Sequence, residues 1–352
     1  MARGSYIWFV ACLFLVSFFV PRANGEVLQQ CKRPLFGITF THYRVDTRAQ
    51  CANGRDSARV LAEGAIIPNY DKVDVRQEVQ RDLAQIKRGG FNMVRTVLWF
   101  TQDKIIAPWG QLHAPLNAAD AQRILEFGRD VRSAGFEKWL IVTNPGIRNN
   151  PACRIKVWGD CYEPSREAAN FDFIRAVHEL LAPLGTGKFR IEYDLSGELC
   201  PSQWLTPLAN ANIKTYVTDL IRWYSTEVSK TDFHISCGGL ASDRTALLLS
   251  IFDGAGVKPN EIDIHLYDTD PNVIAKKVLP AAPMARQRHI PLVIGEMQYE
   301  NPAEVSAIRA LAARYGICFS EIIEWPLRGQ SMCQINVQPP FSSQLLQSIV
   351  PP

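Results

Sequence analysis

The chain has 352 residues, with 38 Lys and Arg set against 35 Asp and Glu. A charge balance so close to neutral gives no handle for nucleic acid or for an anionic membrane, and excludes both as charge-driven partners. No low-complexity linker, Pro/Ser-rich hinge or charge block divides the sequence, so a single domain is expected.

In chain order, residues 1–25 come first and read as a secretory signal. Arg3 gives a positive start, 6–20 is mainly apolar, and Ala23-Asn24-Gly25 offers small residues for cleavage before Glu26. Removing Arg3 and Arg22 leaves 36 of the 38 basic residues against 35 acidic ones. The mature domain, 26–352, is therefore expected to be secreted or periplasmic. From there short apolar runs alternate with longer amphipathic stretches. The runs predict strands over 35–42, 91–99, 138–143, 188–195, 233–237, 262–267, 291–296 and 317–325, each rich in β-branched or aromatic residues. Helical patterns fall at 74–88, 118–134, 167–183, 209–228, 241–254, 271–285, 302–315 and 341–349. In the first, Val79, Leu83 and Ile86 recur on one face.

Alternating strand–helix units imply parallel strands, and eight of them imply a closed (β/α)8 barrel, the TIM barrel. Loop lengths support it. Helix-to-strand connections are short and glycine-marked, as at Gly89-Gly90, Gly135 and Gly316. Several strand-to-helix connections are long, at 43–73, 144–166, 196–208 and 326–340. Long loops on one face belong to a barrel with a working C-terminal face. A doubly wound open sheet is the alternative, although no Gly-rich nucleotide loop follows any strand.

Of nine cysteines, Cys12 falls in the signal, leaving Cys31, Cys51, Cys153, Cys161, Cys200, Cys237, Cys318 and Cys333. An even set in an exported chain suggests disulfides, among 105 possible connectivities. Short spacing favours Cys31–Cys51, Cys153–Cys161 and Cys318–Cys333, which leaves Cys200–Cys237 to join two neighbouring strand ends. Most of these cysteines lie in the long loops, where bridges would stiffen the walls of a cleft.

The chemistry concentrates at strand ends. Glu296 closes the apolar run from Ile290 to Gly295, and Glu198 closes a similar strand 98 residues earlier. Two carboxylates at the mouth of one barrel suit glycosidic-bond cleavage, one protonating the leaving oxygen and one attacking or activating water. Arg95 on strand two can hold a carboxylate ionised, and Tyr267 can donate to it. His265 on strand six can orient the acid or bind a sugar hydroxyl. Trp325 at the end of strand eight offers a ring on which a sugar face can stack. Trp99, Trp158 and Trp204 are further aromatic platforms beside the same face.

In this order Arg95, Glu198, His265-Leu266-Tyr267, Glu296 and Trp325 make the chain resemble the clan A retaining glycoside hydrolases, most closely the cellulase-like family 5. The resemblance covers about 35–330. It implies a retaining double displacement on a β-linked glycan, with Glu296 as nucleophile and Glu198 as acid/base. The family carries Asn-Glu on strand four, whereas this chain has Gly197-Glu198. Asp194 and Glu192 on the same strand are therefore alternative acids, and Asp194 paired with Glu296 would make an inverting enzyme. A non-catalytic glycan-binding barrel is the other alternative. No His-x-His on strand one and no H-E-x-x-H appear, so no metal and no cofactor are expected. The expected partner is an oligo- or polysaccharide, and the expected state a monomer without stable membrane association. Repulsion between the two carboxylates should raise the pKa of the acid.

Overall fold

The computed structural model describes residues 33–40, 43–45, 60–62, 66–102, 111–145, 151, 161–201, 205–237, 244–325 and 342–349. The expected signal at 1–25, four of the cysteines (Cys31, Cys51, Cys153 and Cys333), Trp158 and Trp204 lie outside them. The strands are β1 Leu35–Thr39, β2 Met93–Thr101, β3 Lys138–Asn144, β4 Arg190–Asp194, β5 Phe233–His234, β6 Ile262–His265, β7 Leu292–Gln298 and β8 Glu321–Trp325. The helices are α1 Val73–Arg88, α2 Ala118–Ser133, α3 Pro164–Leu181, α4 Pro207–Glu227, α5 Arg244–Ala255, α6 Pro271–Arg288, α7 Pro302–Tyr315 and the short α8 Gln344–Gln347.

The strands pair in parallel in the order β5-β4-β3-β2-β1-β8-β7-β6. A single parallel bridge between Ser236 and Asp263 joins β5 to β6, and the ring closes. This is the (β/α)8 barrel. Local chemistry starts its helices: Asn117, Thr206, Asp270 and Asn301 each accept a hydrogen bond from a first-turn amide. Pro stands in the first turn of α3, α4, α6 and α7, where its missing N–H costs nothing.

Two layers of packing follow from strand alternation. One set of strand side chains meets the helices: Val94 and Leu98 of β2, Trp139 and Ile141 of β3, and Ile294 of β7 join Val79, Leu83, Phe173 and Ile174 in one continuous apolar shell. The other set points into the barrel, and there the apolar cluster is small, formed by Met93, Leu140 and Ile323 with Leu35 against them. The rest of the interior is charged. At its floor Lys138 pairs with Glu192 and lies 2.8 Å from Glu321. Burial opposes the ammonium charge, but Glu321, Glu261 and Glu192 outweigh it and hold the Lys138 pKa above its ordinary value.

Several bounds differ from expectation. Strand five ends at His234 rather than 237, because the Ser236 N–H and hydroxyl both donate to Asp194. Strand seven extends to Gln298, so Glu296 lies within it rather than at its end. Strand eight starts at Glu321, and the last helix is Gln344–Gln347 only. Inside the loop predicted over 43–73, Tyr43–Val45 pairs antiparallel with Val60–Ala62; strands of three residues carry too little periodicity to stand out in sequence. Among the described residues no helix is long and apolar enough to cross a membrane.

Candidate active site

Glu296 reaches the barrel interior through a bulge. By strict alternation Ile294 and Glu296 would share a face, and Ile294 packs in the outer shell. Against β6 the register runs Ile294↔Ile264 and then Glu296↔His265, so β7 carries one extra residue at Gly295. Against β8 the step is Ile294↔Ile322 and then Met297↔Glu324, the same single insertion. A bulge of this kind re-aims a side chain, and it brings Glu296 level with His265. There Arg95 Nη1 pairs with Glu296 Oε1, and the Tyr267 hydroxyl donates to Oε2. Both partners are fixed in their roles. Burial opposes the Arg95 charge, but Glu296, Asp194 and Asp263 outweigh it. Burial and the Glu296 charge push the Tyr267 phenol far above its ordinary value and keep it a donor.

Glu198 arrives from the turn after β4. It stands at φ 70° and Tyr267 at φ 87°, left-handed conformations that non-glycine residues adopt at a cost and that cluster at working sites. Gly197 precedes it at φ 52°, and a Cβ there would lie 2.7 Å from Nδ2 of Asn144 at the end of β3. The Asn144 amide donates to the Gly197 carbonyl at 3.1 Å. The position that carries Asn in family 5 therefore has no room for a side chain in this turn. Glu198 Oε1 is hydrogen-bonded to His265 Nδ1, and Nδ1 is also 3.3 Å from Glu296 Oε2. One oxygen of each carboxylate and the ring nitrogen all lie within 4.8 Å of one another. The Glu198 side chain is 44% exposed, while those of His265 and Glu296 are 1% and 8% exposed.

The pKa expectation for the acid is corrected. Burial acts to raise the Glu198 pKa, but the His265 charge, its hydrogen bond and Arg95 outweigh burial and hold the carboxyl below the ordinary range. Burial opposes protonation of His265, yet Glu296, Glu198 and Asp263 together raise it well above its ordinary value. Both shifts favour the proton on the imidazole.

The remaining candidates divide. Trp325, half-buried at the end of β8, has its ring centroid 5.8 Å from the Arg95 guanidinium carbon, beside the two carboxylates. Asp194 is fully buried and tied to the chain after both β4 and β5, its Oδ1 accepting from the amides of Ser196, Gly197 and Ser236 at 3.2, 3.3 and 3.1 Å. Glu192 pairs with Lys138 at the barrel floor, away from the mouth. Neither alternative acid faces the open end. Trp99 is half-buried on β2, and Trp204 lies outside the described residues. Three clusters hold carboxylate and imidazole atoms at cation-binding spacing: Glu198–His265–Glu296, Asp194–His234–Asp263 and Glu192–Glu261–Glu321. In each the protein supplies its own cation. Arg95 pairs with Glu296 and lies 3.8 Å from Asp194, and Lys138 fills the third.

Sequence reasoning passed over Asn144, His234 and Asp263. Asp263 was the most accessible of them: it precedes His265 by two residues in Ile262-Asp263-Ile264-His265, an alternation that sets both polar side chains on the interior face.

No family model matches the chain, and no curated protein matches it in sequence. Solved structures do match in fold. A β-glucosidase from Pyrococcus furiosus aligns at 11% identity with a TM-score of 0.54, covering 84% of this chain and 87% of that one. A GH5 subfamily 18 protein from Bifidobacterium longum subsp. longum, in complex with Manb1-4GlcNAc, aligns at 11% identity and TM-score 0.53, covering 90% and 73%. A β-mannanase from the blue mussel Mytilus edulis aligns at 12% identity and TM-score 0.51, covering 80% and 87%. At such identities the likeness is one of architecture: this chain is built on the TIM-barrel fold that these glycoside hydrolases share.

Proposed function

We propose that the protein is an exported glycoside hydrolase that cleaves a β-linked glycan with retention of configuration. Glu296 is the nucleophile: it attacks the anomeric carbon while the leaving oxygen takes a proton from the Glu198 side. Water then attacks the glycosyl–Glu296 ester and returns a proton to the same side. Arg95 and Tyr267 hold both oxygens of the nucleophile and aim it, and Trp325 gives the sugar a face to stack on.

The observation that carries this reading is the approach of carboxylate oxygens of Glu198 and Glu296 to within 4.8 Å. Retaining pairs stand about 5–5.5 Å apart, whereas inverting pairs need roughly 6.5–9.5 Å to admit a water. The buried turn contacts of Asp194 speak against it as the acid of an inverting pair. Two left-handed residues at the same mouth support a working site over a packing one.

The test is release of reducing ends from a panel of bacterial and plant β-linked polysaccharides, with β-mannans and β-glucans first because of the structural neighbours. Wild type should hydrolyse at least one, and Glu296→Gln should reduce that release to background with the fold intact by circular dichroism. Binding of a glycan by wild type without release of any reducing end would favour the non-catalytic barrel. Turnover that survives in Glu296→Gln would remove Glu296 from its role.

A further inference from the structure

Asp263 is buried inside the barrel, directly below the two carboxylates, and the mechanism proposed above makes no use of it. Its carboxylate lies between two imidazoles. Oδ1 is 3.6 Å from Nε2 of His265, and Oδ2 is 3.4 Å from Nε2 of His234. Among the described residues neither oxygen and neither Nε2 has a hydrogen-bond partner. Buried groups left this way ask for a reason. The strand beside them is built to admit the carboxylate: a Cβ on Gly295 would lie 2.1 Å from Asp263 Oδ1. Below, His234 Nδ1 is 2.8 Å from Glu261 Oε1. Above, His265 Nδ1 meets Glu198. Carboxylates and imidazoles therefore alternate from the barrel floor to its mouth, as Glu261, His234, Asp263, His265 and Glu198.

We propose that Asp263 is a positioning residue that holds His265 as an imidazolium, so that the proton carrier of the site is the Glu198–His265 pair rather than Glu198 alone. The proposal rests on the glycosidase reading. In the first half-reaction the glycosidic C–O bond breaks as Glu296 bonds to the anomeric carbon, and one proton leaves the pair for the departing oxygen. In the second half-reaction water oxygen bonds to that carbon, the Glu296–carbon bond breaks, and one water proton returns to the pair. The groups facing His265 are Glu198 from the β4 turn, Glu296 from β7, Arg95 from β2 and Asp263 from its own strand; Lys277 of α6 donates to its backbone carbonyl at 3.0 Å. Those facing Asp263 are the two imidazoles, Arg95, and Asp194 of β4, which has a carboxylate oxygen within 4.8 Å. Asp263 is held far below the carboxylate range because the two nearby imidazoles, His265 first, overcome its burial.

The test combines 15N-histidine NMR titration with the pH profile of kcat/KM, on wild type and Asp263→Asn. In wild type the His265 ring should remain doubly protonated at neutral pH. Asp263→Asn removes one of the nearby negative charges, so its titration should move down by about one unit or more. The alkaline limb of kcat/KM should move down with it, since loss of the pair's proton sets that limb. A folded Asp263→Asn protein with an unmoved His265 titration or an unmoved alkaline limb overturns the proposal. If Asp263→Asn does not fold, wild type alone decides, and a neutral His265 ring at pH 7 overturns it. If wild type turns over no glycan, the functional reading has failed, while the NMR titration still reports separately whether Asp263 sets the state of His265.

Discussion

Gly197 shows how closely the site depends on single atoms. A methyl group there would meet Asn144 at 2.7 Å in a left-handed turn, so Gly197→Ala must either push the β3 end aside or reshape the turn that presents Glu198. We expect it to lose on the order of 1–3 kcal/mol of stability and most of its turnover, read as a lower denaturant midpoint and a lower kcat. A Gly197→Ala protein as stable and active as wild type contradicts this account of the turn. Glu198→Gln should lower turnover by roughly 10²–10⁴-fold, and added azide should partly restore it on a substrate with a good leaving group. Arg95, Glu198, His265, Tyr267, Glu296 and Trp325 were legible as site candidates because each ends or lines a strand whose period is plain. The reason for Gly197 in place of Asn was not legible, since it depends on a side chain 53 residues away. The state of the Glu198–His265 proton was hidden for the same reason: it depends on Asp263 and Glu296 reaching one imidazole from different strands.

The β7 bulge decides which residue of Ile294-Gly295-Glu296 faces the mouth. Strand existence could be read from the apolar run, but a one-residue insertion leaves no mark on composition or spacing. Inserting one further glycine after Gly295 should shift the following register by one residue and turn Glu296 toward the helix shell. The expected outcome is loss of turnover with the secondary structure retained, checked by activity and by far-UV circular dichroism. Retained turnover would separate the bulge from the site. At the neighbouring strand ends the expected Cys200–Cys237 bridge is present, joining the chain after β4 to the chain after β5 across 37 residues. Cys161 and Cys318 are also disulfide-bonded. The sequence suggests Cys200–Cys237 by elimination, since short spacing pairs the other six cysteines and leaves these two at neighbouring strand ends. A Cys200→Ser, Cys237→Ser double variant should lose about 3–4 kcal/mol, the loop-closure entropy for a ring of that size, measured by denaturant unfolding. A loss below about 1 kcal/mol would show that the bridge constrains little of the unfolded chain.

At the scale of the whole molecule, the barrel interior is a column of charge rather than an apolar plug, and together with two buried carboxyls outside that column, Glu304 on α7 and Glu324 on β8, it sets a pH dependence for stability. Burial raises the Glu304 pKa from 4.5 to about 7 and the Glu324 pKa from 4.5 to about 8, despite hydrogen bonds from backbone amides. His234 and His265 are also raised, because their carboxylate neighbours overcome burial. A raised group contributes stability that is complete below its unfolded pKa and is lost as pH climbs through the folded one. Glu198, Glu261 and Asp263 are lowered, and their contribution is complete above the unfolded value and lost as pH falls through the folded one. Stability should therefore peak between about pH 4.5 and 6 and decline toward pH 8.5. Calorimetric Tm values at pH 5.5 and 8.5 check this, and a Tm that is flat or rising over that interval contradicts it. The charged column was only partly legible: the eight-fold alternation fixed the architecture, but which polar residues share the interior depends on strand registers that meet only in the closed ring. The most direct test of the central claim is mass spectrometry of the protein treated with activated 2-deoxy-2-fluoro β-glycosides matched to the sugar it hydrolyses. A retaining enzyme with this site accumulates a fluoroglycosyl ester on Glu296, visible as a single added sugar on the peptide containing that residue and absent from Glu296→Gln. Hydrolysis of the parent glycan with inverted anomeric configuration, or a covalent adduct on any other residue, would contradict it.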